Sequence, residues 1–228
     1  MGTRTIRRTS VTLPSLDEPG LYLSNVTSLE AARGRVTEFR YGDADLRALN
    51  LADTHLIDGR ITGLRTQSAR LERLRVVSVE FTGCDLSSLH WSDSKVTRAV
   101  FRDCKLLGAV LEDVVLDDVL FDNCRIDYAT LVRVRAAGPV ILSRCSLREA
   151  VFDGADLTAA AFDGCDLRLT EFNGGKYRGL DLRGNDLSQI RGFTSLRQVI
   201  VDRAQMLQMA EAIAAELDVT FGEDLASG

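Results

Sequence analysis

Apolar residues return at every fifth position along most of the chain. One series runs in steps of five from Val36 through Tyr41, Leu46, Leu51 and Leu56 to Ala136 and Ile141. It resumes after one extra residue at Leu147 and continues through Phe152, Leu157 and Phe162 to Leu187. Of these 31 positions all but Thr66 are apolar, where chance at the chain's apolar content gives about 14. A second column, mostly small residues such as Ala99, Ala109, Ala129 and Ala150, lies two positions before the first. Residues two apart on extended backbone share a face, so the small and the large residue of each pentad both point inward and the residue between them points out.

A period of five suits neither a helix nor an ordinary strand, but it suits a coil that turns a corner after each pentad. The strings FTGCDL (81–86), FRDCKL (101–106) and FDNCRI (121–126) recur at 20 residues, and FDGCDL (162–167) follows one residue late. Twenty residues therefore make one turn with four faces. The predicted fold is an all-β solenoid of about eight coils, roughly 37 Å long at the strand spacing of ~4.8 Å. Phe81, Phe101, Phe121, Ile141 and Phe162 are expected to stack on one face, and Leu86, Leu106, Ile126, Leu147 and Leu167 on the next. Thr66 and Ala136 make weak rungs, and Gly138, Pro139 and the extra residue in AAGPVILSRC (136–145) predict a bulge.

The outline A-[DN]-[LF]-x-x, clearest in GADLTAAAFDGCDLRLTEF, resembles the pentapeptide repeat family, and the resemblance covers residues 36–187. It implies a right-handed quadrilateral β-helix, and it implies little about function because the residues that carry it are structural.

Outside that segment, residues 1–35 read as an N-terminal tail and cap. The register survives loosely in Leu21, Val26 and Ala31, and the first dozen residues read as a mobile tail. Residues 188–228 read as a C-terminal cap. Asp202 and Gln205 form a variant of the capping box, and Ala204, Leu207, Ala210, Ile213, Ala214 and Leu217 recur at helical spacing, predicting an amphipathic helix over about 203–217. Two roles are open to that helix: it plugs the apolar end of the solenoid, or it contacts a second copy through Met206, Leu207, Ala210, Ile213 and Leu217. The second role resembles the end-to-end joint of the quinolone-resistance branch of the family.

Candidate chemistry is sparse. Cys84, Cys104, Cys124, Cys145 and Cys165 all take the small inward position of one face. A straight column at ~4.8 Å steps suits neither a disulfide nor a tetrahedral metal site, so they read as buried reduced thiols. His55 and His90 lie 35 residues apart with no nucleophile in reach of the pattern, and no phosphate-binding, hydrolase or zinc motif is present. No catalytic, metal or cofactor residue is assigned, and an enzyme is not expected. No apolar run is long enough to span a bilayer and the N-terminus has no apolar signal core, so a cytoplasmic location is expected.

Two outward features remain. Glu112, Asp113, Asp117, Asp118, Asp122 and Asp127 make one acidic coil whose single base is Arg125, suited to a basic partner or to solvation. Val100, Leu120 and Val140 put aliphatics at the outward position usually taken by a polar residue, a stripe to be covered by a partner or, preferably, by the chain's own N-terminal segment. The net charge of −5 argues against direct nucleic-acid binding. The quinolone-resistance branch implies a rod that imitates DNA before DNA gyrase. Residues 36–187, however, hold 24 acids against 20 bases, far short of the one charge per ~1.7 Å of a duplex. A general interaction scaffold with an unknown protein partner is the other reading.

Overall fold

The computed structural model describes residues 2–30, 34–220 and 222; Ala31 lies outside them. The pentads wind into a β-solenoid. Its long parallel sheet includes Arg35–Gly42, His55–Thr62, Arg75–Thr82, Lys95–Arg102, Val115–Asp122, Val140–Ser143 and Ala160–Asp163, and a second parallel sheet of seven strands runs from Leu49–Ala52 to Glu171–Asn173. Partners lie 20 residues apart, as in Phe81↔Phe101↔Phe121. The seven strands of the second sheet define seven turns, against the eight expected. Beyond Asn173 the winding continues only as single bridges, Glu171↔Arg191 and Asp181↔Ile200. The corners explain the pentad. A residue just past the large one turns left-handed, as at Asp53 (φ 50°), Arg73 (φ 53°), Asp113 (φ 53°) and Arg133 (φ 50°), a conformation that Asp and Asn tolerate better than branched residues do.

The core is a set of ladders. Phe81, Phe101 and Phe121 stack with ring centroids 4.5 and 4.8 Å apart, and Phe152 and Phe172 stack on another face at 5.2 Å. All five cysteines are buried and free. The Cys104 thiol donates to the Phe81 carbonyl and the Cys124 thiol to the Phe101 carbonyl. Neighbouring Cys104 and burial push the Cys84 thiol far above its ordinary range. Thr66 is buried, its hydroxyl bonded to the Ser68 carbonyl, and Ala136 is buried as well.

The extra residue enters earlier than the spacing suggested. Leu116 still pairs with Ala136, but Val119 pairs with Val140, Leu120 with Ile141 and Phe121 with Leu142. The bulge is therefore Ala137–Pro139, where the amides of Ala137 and Gly138 both approach the Leu116 carbonyl. A side chain on Gly138 would run into the Asp117 carboxylate. Two expectations change. Leu142, not Ile141, fills the Phe ladder. Val140 points inward with Val119 and Ala160, so the outward stripe is Val100, Leu120 and Ile141.

The ends are closed differently. At the N-terminal end Phe39 occupies the small column and is itself buried, with Leu29 and Val26 packed on the same core. Gly59 lies beneath it because a Cβ there would fall 2.1 Å from the Phe39 ring. At the C-terminal end a 3-10 turn, Arg203–Gln205, leads into helix α1, Met206–Glu216. The Asp202 amide donates to Gln205 Oε1 at 2.7 Å, as the capping pair predicted.

Candidate functional site: the outer faces and the end helix

Residues 3–12 form structure packed on the rod and are not a mobile tail; Met1 lies outside the described residues. Strands β1 (Thr3–Ile6) and β2 (Thr9–Thr12) form an antiparallel hairpin, closed by Arg7 and Arg8 with Arg7 left-handed at φ 53°. Its inner residues Ile6 and Val11 join Val100, Leu120 and Ile141 in a buried apolar cluster, with Leu13 at the margin. The outward stripe is thus covered by the chain itself, one of the two coverings the sequence allowed. Alternation around Ile6 and Val11 was the available signal, but the turn Arg7–Arg8 lacks the Gly or Asn that normally marks a hairpin.

The acidic coil is largely neutralised by residues one turn away. Arg133 places Nη2 2.7 Å from Glu112 and 2.6 Å from Asp113, and its hydrogen bonds and charge hold the Asp113 carboxyl below its ordinary range. Asp122 accepts from Arg144 at 2.5 Å and faces Arg102 at 3.7 Å. Asp118 accepts the Thr12 amide of the hairpin at 2.9 Å. Asp127 is fully buried, bonded to the Ser146 hydroxyl and the Arg148 amide, so it presents nothing to a partner. Its burial follows from position: it folds back over the corner to satisfy backbone of the next turn. The same rule of 20 joins Arg73 to Asp53 and Lys105 to Asp85. These vertical pairs were readable from outward residues 20 apart, a comparison the local acid count did not make.

Helix α1 meets the rod through a side that combines polar anchors with Met209 and Ala212, which pack on the core. Gln205 Nε2 donates to the carbonyls of Leu182 and Asn185, Gln208 accepts the Leu187 amide and Glu216 the Phe193 amide. Ala212 is its one buried apolar residue. The face predicted as apolar is present but turned outward: Met206 is 67% exposed, Leu207 71% and Leu217 65%, with Ala210 and Ile213 also exposed. The plug is therefore not made by that face. Between α1 and the last turn runs an open groove that includes Glu171, Arg191, Ser195 and Glu216.

His55 and His90 sit half-buried on different sheets, His55 in register with Arg35 and Arg75, His90 with Arg70 and Val110. No group of His, Cys, Asp or Glu among the described residues is arranged to hold a metal ion, and no helix among them is long and apolar enough to cross a membrane.

A rod of stacked pentads whose exposed features are ion-paired ladders and one bare helical face defines a β-solenoid repeat protein. The model of the pentapeptide-repeat family matches residues 80–118 and 140–174 in eight copies. Solved structures of QnrB1, a plasmid-mediated fluoroquinolone resistance protein, are similar. A trypsin-treated form shares 16% identity over 75% of this chain and 98% of its own, with a TM-score of 0.39. The full-length form shares 16% over 78% and 89%, with a TM-score of 0.41. No curated protein matches the chain significantly.

Proposed function

We propose that this chain works without catalysis, as a cytoplasmic interaction rod that joins a second copy through helix α1 and meets a protein partner with its outer faces. The observation that carries this reading is the bare apolar side of α1. Its opposite side is anchored to the last turn through Gln208, Glu216, Met209 and Ala212, with Gln205 just before it, which leaves Leu207 and Leu217 facing outward. An apolar helical face held outward by hydrogen bonds on its opposite side suits an isologous contact with its own copy. Light scattering tests this: the full chain is expected at dimer mass and a Leu207→Glu, Leu217→Glu variant at monomer mass. An unchanged dimer mass in the variant rules out the helix as the joint.

For the partner, a general protein scaffold is favoured over a DNA-mimicking modulator of DNA gyrase. Imitation of a duplex requires free, regularly spaced carboxylates, whereas Glu112, Asp113 and Asp122 are paired with arginines and Asp127 is buried. A supercoiling assay with purified gyrase separates the two. No effect at micromolar protein is expected, and inhibition or protection from a quinolone would restore the gyrase reading.

A further inference from the structure

Charges on the outside of this rod commonly pair with the rung above or below, as Arg73 does with Asp53 and Arg60 with Glu80. One column does not. Asp58, Ser78 and Arg98 hold the same corner of three successive turns, each left-handed at φ 51°, 54° and 49°. The serine rung keeps the two charges apart: Asp58 and Arg98 stand two turns from each other, roughly 9.6 Å at the strand spacing. On the far side of Arg98, Asp118 is engaged by the Thr12 amide. The side chains of Asp58, Ser78 and Arg98 accordingly have no hydrogen bond or ion pair among the described residues. They are not ordinary solvated groups either, because Ser78 is 5% exposed and Asp58 and Arg98 are half-buried. Residues 13–21 pass beside this column, and together they line a polar pocket that includes Leu13, Ser15, Glu18 and Leu21. Ser15 Oγ is buried there and also lacks a hydrogen-bond partner among the described residues. An unmet buried hydroxyl is costly, and here two hydroxyls, a carboxylate and a guanidinium share one pocket.

We propose that this pocket binds a small zwitterion, a free amino acid with an apolar side chain. The planar fork of Arg98 suits a carboxylate, to which the Ser15 and Ser78 hydroxyls add donors, while Asp58 accepts from the ammonium. Leu13 and Leu21 offer apolar wall to the side chain. A simple anion such as phosphate meets Asp58, with the Glu18 carboxylate lining the same pocket, and a simple cation meets Arg98. Only a ligand that carries both charges leaves neither end of the column facing a like charge. The three rungs are fixed by parallel pairing between His55–Thr62, Arg75–Thr82 and Lys95–Arg102, so the groups are in place before the ligand arrives. The pocket is separate from helix α1 and does not depend on the association proposed there.

Two-dimensional NMR of the full chain titrated with L-leucine tests the site. Saturable shifts are expected at the amides of residues 13–21 and of Ser78. The half-ligands 4-methylpentanoate, which lacks the ammonium, and 3-methylbutylamine, which lacks the carboxylate, are expected to bind about tenfold more weakly or worse, the worth of one charge-assisted hydrogen bond. Arg98→Gln and Asp58→Asn are each expected to weaken L-leucine by a similar factor. Asn is well tolerated at a left-handed corner, so Asp58→Asn carries the test even where Arg98→Gln disturbs folding, and unchanged amide positions around Phe101 show that a variant is folded. No saturable shift at millimolar L-leucine overturns the site. Binding that survives both substitutions, a half-ligand that binds as tightly as L-leucine, or displacement of L-leucine by inorganic phosphate overturns the zwitterion.

Discussion

Phe101 is the most informative single core position. It is fully buried, sandwiched between Phe81 at 4.5 Å and Phe121 at 4.8 Å with near-parallel rings, and meets Trp91 edge-on at 6.2 Å. Replacing it by Ala removes a whole aromatic side chain from a column that cannot close up, because its neighbours are fixed by backbone ladders above and below. Such truncations cost about 3 to 5 kcal/mol. Each lost ring pair accounts for about 0.5 to 1.5 kcal/mol beyond area, which places Phe101→Ala at the upper end of that range. For a chain of this size a loss of about 4 kcal/mol lowers the midpoint by roughly 8 to 16 °C. Thermal denaturation followed by circular dichroism measures it, with Phe121→Leu as the comparison because the next rung, Leu142, is already aliphatic. A drop of less than about 1 kcal/mol would refute the reasoning, since it would mean that the column relaxes around the vacancy.

Three further outcomes follow from the same geometry. Gly59→Ala is expected to destabilise by about 1 to 3 kcal/mol through overpacking against Phe39, read by urea denaturation. The five buried thiols are expected to resist alkylation in the native protein and to react together once it is denatured, as mass spectrometry of the adducts will show. Burial raises the Asp181 carboxyl, but the Arg183 side chain and amide outweigh it and hold it below its ordinary value of 3.8. A depressed carboxyl stabilises above its unfolded pKa and loses that contribution as pH falls through the folded value. Asp181→Asn is therefore expected to be less stable than wild type at neutral pH, with the gap closing only below pH 3.8; a gap unchanged down to acid unfolding would contradict the ion pair.

The pentad columns were legible because they are periodic and redundant, so one wrong residue such as Thr66 does not disturb the phase. The point of insertion was not, and the reason is local. Val140, Ile141 and Leu142 are three consecutive aliphatics, and any of them satisfies a rule that asks only for an apolar residue every fifth position. What decides is backbone geometry at Ala137–Pro139, where the bulge absorbs the extra residue before the strand restarts. A shift of one residue exchanges inside for outside, which is why Val140 lies in the solenoid core and Ile141 on the outward face beneath the hairpin.

The helix and the acidic coil show a complementary blindness. Helical spacing located α1 to within a residue or two at its end, and Asp202 with Gln205 marked its start, but amphipathicity alone says which side is apolar, not which side is anchored. Here the anchor is partly polar: Gln205 reaches the backbone carbonyls of Leu182 and Asn185 at the end of the solenoid. Likewise the six acids of residues 112–127 look like an uncompensated charge only along the chain. In the coil their nearest neighbours are 20 residues away, where Arg133 and Arg144 sit. For a solenoid the meaningful neighbourhood of an outward residue is the rung above and the rung below. A charge reading carried out at that spacing leaves Glu112, Asp113 and Asp122 of the acidic turn paired with arginines one turn away, and the bare side of α1 is what the proposed function rests on instead.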